Sequence, residues 1–337
     1  MNLKRKHHFV SQFYLKNWYN SDGKINVWDG EKSYKAVTKS IAFETDFYQI
    51  VPLKSKQVEL FNSYMKNAGL EKLSSYQLIF KECIKTQSLI NIHSRFSEML
   101  DIPIPKILSS SNREFSHNTL EDKFSLEEDS FSKVINKIIS EDRPELTLSD
   151  YDVLTHFFVF QLTKTPKKIK NVMEMTREMP VYKECNFNEE ENKTFNLFLS
   201  QCLAEAYYLN CLSNLHEIRI YRNTSNINFI TSDDPCFNQK LSDKKAETLI
   251  QLPISPQIMI ELVDNSYSEH HTKEIFSNLN NCKTKEDKDN VVLNDLLFKF
   301  YDFDEDDVTI LNKKLFQNKD RFIYAHSEND VISLQNM

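Results

Sequence analysis

Apolar residues recur every three or four positions between Gln57 and about Leu100, at Val58, Phe61, Tyr64 and Met65 and again at Leu73, Leu78, Ile79 and Ile84, which predicts helix. Gly69 divides that stretch into two helices. The same period returns from about Leu126 to Ile139, from Ser149 to Met175 and from Asn188 to Leu212. The second of these opens on Thr147 or Ser149 as a cap before the continuous run VLTHFFVFQL, so it reads as a helix buried on most sides. Beyond residue 215 the period shortens to two, and HEIRIYRN, NFITSDDP, TLIQLPISP and QIMIELVD read as successive strands. Helix is expected again over His271–Leu279, from Asp287 to Phe300 and over Asp306–Phe316, ahead of a closing strand in RFIYAHS.

Near the start the order differs. A helix over Val10–Tyr19 precedes the turn Ser21–Lys24 and a strand in KINVWDG, which stops at Asp29-Gly30. KSIAFETDFYQIVP then reads as a loop carrying Glu44 and Asp46, followed by a short strand ended by Pro52. Residues 101–122, with IPIPK and SSSNREFSHN, lack periodicity and read as an exposed loop. The fold class expected is α+β: a helical middle region packed on a mostly antiparallel sheet formed largely by the C-terminal half, with Ile25–Trp28 as an early strand. No repeat is visible, and residues 1–337 are taken as one integrated domain.

Composition narrows the function. The 337 residues are 40% hydrophobic and 12% aromatic, which supplies a core. Only three glycines occur (Gly23, Gly30, Gly69), so the clustered glycines that cradle phosphates are missing, and both an NAD site and a P-loop nucleotide site are excluded. The net charge of −7 disfavours nonspecific binding of long duplex DNA. Six cysteines without a C-x-x-C pair argue for buried free thiols rather than a zinc ribbon or disulfide framework. With no signal peptide and no apolar run near 18 residues, a cytoplasmic protein without membrane contact is expected.

Three constellations could carry chemistry. His7 and His8, with Gln12, follow the cations Lys4, Arg5 and Lys6; imidazoles can act as acid, base or metal ligand, and the cations suit phosphate. Adjacent histidines diverge in direction, so only one would face a given site, and an exposed basic arm is the plainer alternative. In FITSDDP, a strand end presents Ser232, Asp233 and Asp234, placed to orient a histidine or ligate a metal, or to form an Asx-turn. In FQLTKTP, Gln161, Lys164 and Thr165 interrupt an apolar helix and need buried partners or a pocket. The acidic run Asp302–Asp307 lacks the glycine and glutamate of an EF-hand loop and reads as a helix N-terminus. A G-x-S-x-G elbow is absent, and no cysteine sits in a basic exposed context.

Taken in order, KHHFVSQFYLKNW, IAFETDFY, FQLTKTP, FITSDDP, LPISP and RFIYA resemble the bacterial domain-of-unknown-function family 4238 over nearly the whole chain. Ser11 stands where that family's pattern has Pro, Lys164 where it tends to have Arg, and Asp234 where it often has Asn; a lysine cannot make a forked contact with phosphate. The resemblance carries no established biochemistry. It implies that His7, His8, Gln12, Gln161, Thr165, Ser232 and Asp233 occupy motif positions.

Two functions are expected to compete. In the first, a nuclease or nucleotide-processing hydrolase of the anti-phage kind acts on a phosphodiester, with His7 or His8 as base or ligand and Asp233 as partner. Lys164 then contacts phosphate, and a divalent metal at His8, Asp233 or Asp234 is left open. Lys4, Arg5, Lys6, Gln12, Gln161, Thr165 and Ser232 would bind the nucleic acid or nucleotide substrate. In the second, the chain is a non-enzymatic module for a protein or nucleotide partner, and the same polar residues form a ligand pocket or a structural network.

Overall fold

The computed structural model describes residues 3–101, 106–240, 248–264 and 269–335. The class is α+β, with helices dominating the middle and the larger sheets drawn mostly from the C-terminal half. In chain order the elements begin β1 (Lys6–His8), α1 (Gln12–Lys16), β2 (Ile25–Trp28), β3 (Ser33–Ala36) and β4 (Phe43–Thr45). Helices follow: α2 (Ser55–Asn67), a π-helical turn Ser75–Phe80 running into α3 (Lys81–Met99), α4 (Lys106–Ser140), α5 (Leu148–Thr163), α6 (Pro166–Arg177), α7 (Pro180–Lys183) and α8 (Glu189–Ser213). The remainder is β5 (Glu217–Asn223), β6 (Thr231–Ser232), β7 (Phe237–Lys240), β8 (Thr248–Ser255), β9 (Ile258–Val263), α9 (Glu269–Asn280), α10 (Lys285–Asp289), β10 (Phe298–Phe303), α11 (Glu305–Asn318), β11 (Ile323–Ala325) and α12 (Glu328–Gln335).

Contacts divide the chain into two compact units, each assembled from separate stretches. The first comprises Met1–His8, Phe43–Glu127 and Pro166–Tyr207. Its core is aromatic: Phe61 of α2 stacks on Phe80 at 4.0 Å between ring centres and meets Phe195 of α8 edge-on at 5.1 Å. Both Phe61 and Phe80 are almost fully buried, and each such ring contributes on the order of 2 kcal/mol of burial. Strands β1 and β4 form a small antiparallel ribbon in this unit.

The second unit comprises Phe9–Ala42, Glu128–Thr165 and Tyr208–Met337 and holds two sheets. One has the order β10-β5-β9-β8-β7, antiparallel except where β10 lies parallel to β5. The other is antiparallel with the order β3-β2-β11-β6, so β11 sits between strands made some 300 residues and some 90 residues earlier. Gly30 turns the chain between β2 and β3 at φ +100°, a conformation that favours glycine. Phe229, Ile230, Phe237 and Met259 pack with Val308, Leu311 and Leu315 of α11 and with Ile323 in one apolar cluster.

Several expectations are corrected. Residues 106–122 are not a loop: they form the first half of the 35-residue α4, while 102–105 lie outside the described residues. Hydroxyls that look like loop chemistry turn back onto the helix, Thr119 Oγ1 donating to Phe115 O at 2.6 Å and Ser125 Oγ to Glu121 O at 2.8 Å, while Leu120 and Phe124 are buried. The helix expected over 287–300 is instead the short α10 and then strand β10, whose Phe298 pairs with Ile218. The stretch before Pro52 is no strand; pairing falls earlier, at Phe43–Thr45. Helix α1 is only five residues long, and the histidines ahead of it are in strand β1. Strand β7 was not anticipated at all.

Candidate functional site

Strand alternation separates the two histidines. In β1, His7 pairs with Glu44 and His8 with Phe43; His7 is fully buried, and His8 is half-buried against the Phe43 ring. His7 is held at both ring nitrogens: Nδ1 accepts the Tyr48 N–H at 2.7 Å, which places the proton on Nε2, where it is donated to Lys4 O at 2.7 Å. Burial lowers its pKa despite the Lys4 carbonyl, so the neutral ring is favoured. The cations ahead of it are occupied within the same unit. Arg5 forks onto the Asp46 carboxylate, Lys4 Nζ lies 2.6 Å from Asp122, and Lys6 Nζ stands 4.8 Å over the Phe43 ring. Gln12 begins α1 and is half-buried.

The other motif residues belong to the second unit, and the structure brings most of them together in pairs. Lys164, 1% exposed at the C-terminal cap of α5, donates from Nζ to Ser11 Oγ at 3.0 Å and to Glu128 Oε1 at 3.1 Å, and its ammonium lies 4.0 Å from the Phe160 ring centre. Ser11 Oγ donates to the same Glu128 oxygen at 2.5 Å, and Gln161 Nε2 lies 3.5 Å from Ser11 Oγ. One residue on, Thr165 Oγ1 donates to Asp234 Oδ1 at 2.8 Å. Asn318 of α11 donates to the Asp234 carbonyl at 3.0 Å and to its Oδ2 at 3.2 Å, while the Asp234 N–H donates to Ser232 Oγ at 3.2 Å.

Asp233 is a backbone clamp. Its Oδ1 accepts the Asp320 N–H at 3.0 Å and its Oδ2 the Arg321 N–H at 2.8 Å, which fixes the turn before β11. Burial pushes its carboxyl up to about 6 even against these donors. Among the described residues, no three His, Cys, Asp or Glu side chains gather to hold a metal. Nor does any described helix have the length and apolarity to cross a membrane.

Two groupings escaped the sequence reading. On the face of the five-stranded sheet, Glu261 accepts from Gln251 Nε2 at 2.8 Å and from the Tyr221 hydroxyl at 2.8 Å, with Arg219 joined to Glu217 at 2.6 Å. The polar positions of EIRIYRN alternate as a solvent face would, yet Glu217 and Tyr221 are buried. The second grouping is a cavity of about 400 Å³ in the first unit, lined among others by Arg177, Tyr182, Lys183, Phe187, Glu189 and Asn192. With the Asn192 amide turned so that its oxygen faces the guanidinium, that oxygen lies 2.9 Å from Arg177 Nε and 2.8 Å from Nη2 and braces it. The Phe187 ring stacks on Tyr182 at 4.3 Å and 14°. The signal in the sequence was Asn-Phe-Asn between the end of α7 and the start of α8, an aromatic in a polar connection.

The chain is α+β, its motifs run from residue 7 to residue 325, and within each unit buried hydrogen bonds hold several of the motif residues. The family model described as protein of unknown function (DUF4238) matches residues 6–329, and the chain belongs to that family. No curated protein and no solved structure matches it.

Proposed function

We propose that the chain is a non-enzymatic binding module for a nucleotide, taken up in the Arg177 cavity, and that the family-motif residues are the network that holds its frame. The observation that carries the reading is the cavity lining. A braced guanidinium and the Lys183 ammonium suit a phosphate, the half-buried Phe187 offers a ring to a base, and about 400 Å³ is within the usual range for small-molecule sites. The motif residues support the second half of the reading, because His7 and Asp233 each spend both polar atoms on backbone groups.

Calorimetric titration with AMP, GMP, CMP and UMP tests the proposal. At least one is expected to bind, with affinity falling tenfold or more in Arg177→Ala and Phe187→Ala. His7→Ala should leave affinity unchanged and lower the unfolding midpoint, since it strands the Tyr48 N–H and the Lys4 carbonyl at a cost of about 2–4 kcal/mol. Absence of binding at millimolar nucleotide, or binding indifferent to Arg177→Ala, rejects the reading.

One observation favours a hydrolase instead: a carboxyl near 6 at Asp233 is placed to titrate close to neutrality. Turnover of RNA or DNA by the wild type that is lost in Asp233→Asn, with the variant still folded, would establish that alternative.

A further inference from the structure

Helix α3 is apolar on the side turned away from its own unit. Its inward face carries the buried Cys83 and Gln87, the latter donating from Nε2 to Val51 O at 3.1 Å. Opposite them, Leu89 (56% exposed), Ile92 (49%), Phe96 (54%), Met99 (72%) and the capping Leu100 (58%) form one stripe. The spacing of Leu89, Ile92, Phe96 and Met99 is three, four, three, that of the a and d positions of a helix-pairing seam. A helix that only had to pack on its own unit would carry polar residues there.

We infer that this stripe is the contact between two copies of the chain, α3 against α3 about a two-fold axis. The seam complements itself, as an isologous interface requires. The exposed parts of these five side chains amount to on the order of 600 Å² per chain, so a symmetric pair removes roughly 1,200 Å², where stable interfaces begin. An antiparallel pairing centred near residue 94 sets Ile92 against Phe96 and Leu89 against Met99 of the other copy. It also keeps the two Lys85 ammonium groups, which continue the stripe toward its N-terminal end, at opposite ends of the contact.

Sedimentation of the full chain across a hundredfold concentration range tests this. The wild type is expected to approach twice the monomer mass, and Phe96→Glu, an exposed position, to remain monomeric while keeping the wild-type circular dichroism spectrum and a cooperative unfolding transition. In the double variant Leu89→Cys with Met99→Cys, oxidation should give a covalent dimer absent from the wild type, because about 15 Å along one helix is too far for a bond within a chain. A wild type that stays monomeric overturns the inference, including the case in which it binds anionic vesicles as a monomer. So does a dimer that survives Phe96→Glu.

Discussion

Asp233 shows how a residue chosen for its chemistry can be placed for its shape. An unfolded aspartate titrates near 3.8 and this one at about 6, a displacement worth roughly 3 kcal/mol against the ionised form. Between those values the folded chain keeps a proton that the unfolded chain has released, so on this group's account stability falls as pH rises from about 4 to about 6. Asp233→Asn should flatten that part of the profile. Denaturant midpoints taken at intervals across the window check it, and parallel wild-type and variant profiles would refute it. His7 works in the other direction, since a ring with a lowered pKa loses stability as pH falls below about 6.5. At the same scale, two of the three departures from the family pattern, Ser11 and Lys164, touch each other at 3.0 Å and share Glu128. A proline at 11 would offer the ammonium no oxygen from its side chain.

Elements were legible where one periodicity ran uninterrupted. Helices α2, α8 and α11 and strands β2, β5, β8 and β9 follow their patterns closely, and the acidic run is a cap: Asp304 accepts the N–H groups of Asp306 and Asp307 at 3.0 and 3.1 Å. The first half of α4 was hidden because its first turns are rich in serine and asparagine, and β10 because FKFYDF follows the helical stretch of α10 and is paired as a strand with the distant β5. The candidate site was less legible still. That Lys164 would meet Ser11, or Thr165 meet Asp234, depends on register across long separations that no local spacing encodes. Helix α5 offers a test of a local rule: Thr147 and Asp150 cap one another, the Asp150 N–H donating at 3.3 Å and the Thr147 N–H at 3.0 Å. Thr147→Ala should cost about 1 kcal/mol, read as a lowered unfolding midpoint, whereas Thr147→Ser should cost little. Equal losses in the two variants would show that the hydroxyl bond is not what matters.

For the whole molecule, the threading matters more than any one element. The chain passes from one unit to the other five times, so neither unit is a contiguous fragment. Residues 208–337 contain the whole five-stranded sheet but only β6 and β11 of the four-stranded one; they lack β2, β3 and α5, and β11 then loses the partner that pairs Trp28 with Ile323. Expressed alone, that fragment is expected to show no cooperative unfolding transition; a sharp two-state melt would contradict this. The same pairing sets a clock during synthesis. Strand β2 leaves the ribosome some 300 residues ahead of β11, so at about 5–20 residues per second the earlier strand waits roughly 15–60 seconds for its neighbour. For that interval the β2 edge that pairs with β11 has no partner, which makes the β2–β3 hairpin a segment for chaperones that act on the nascent chain.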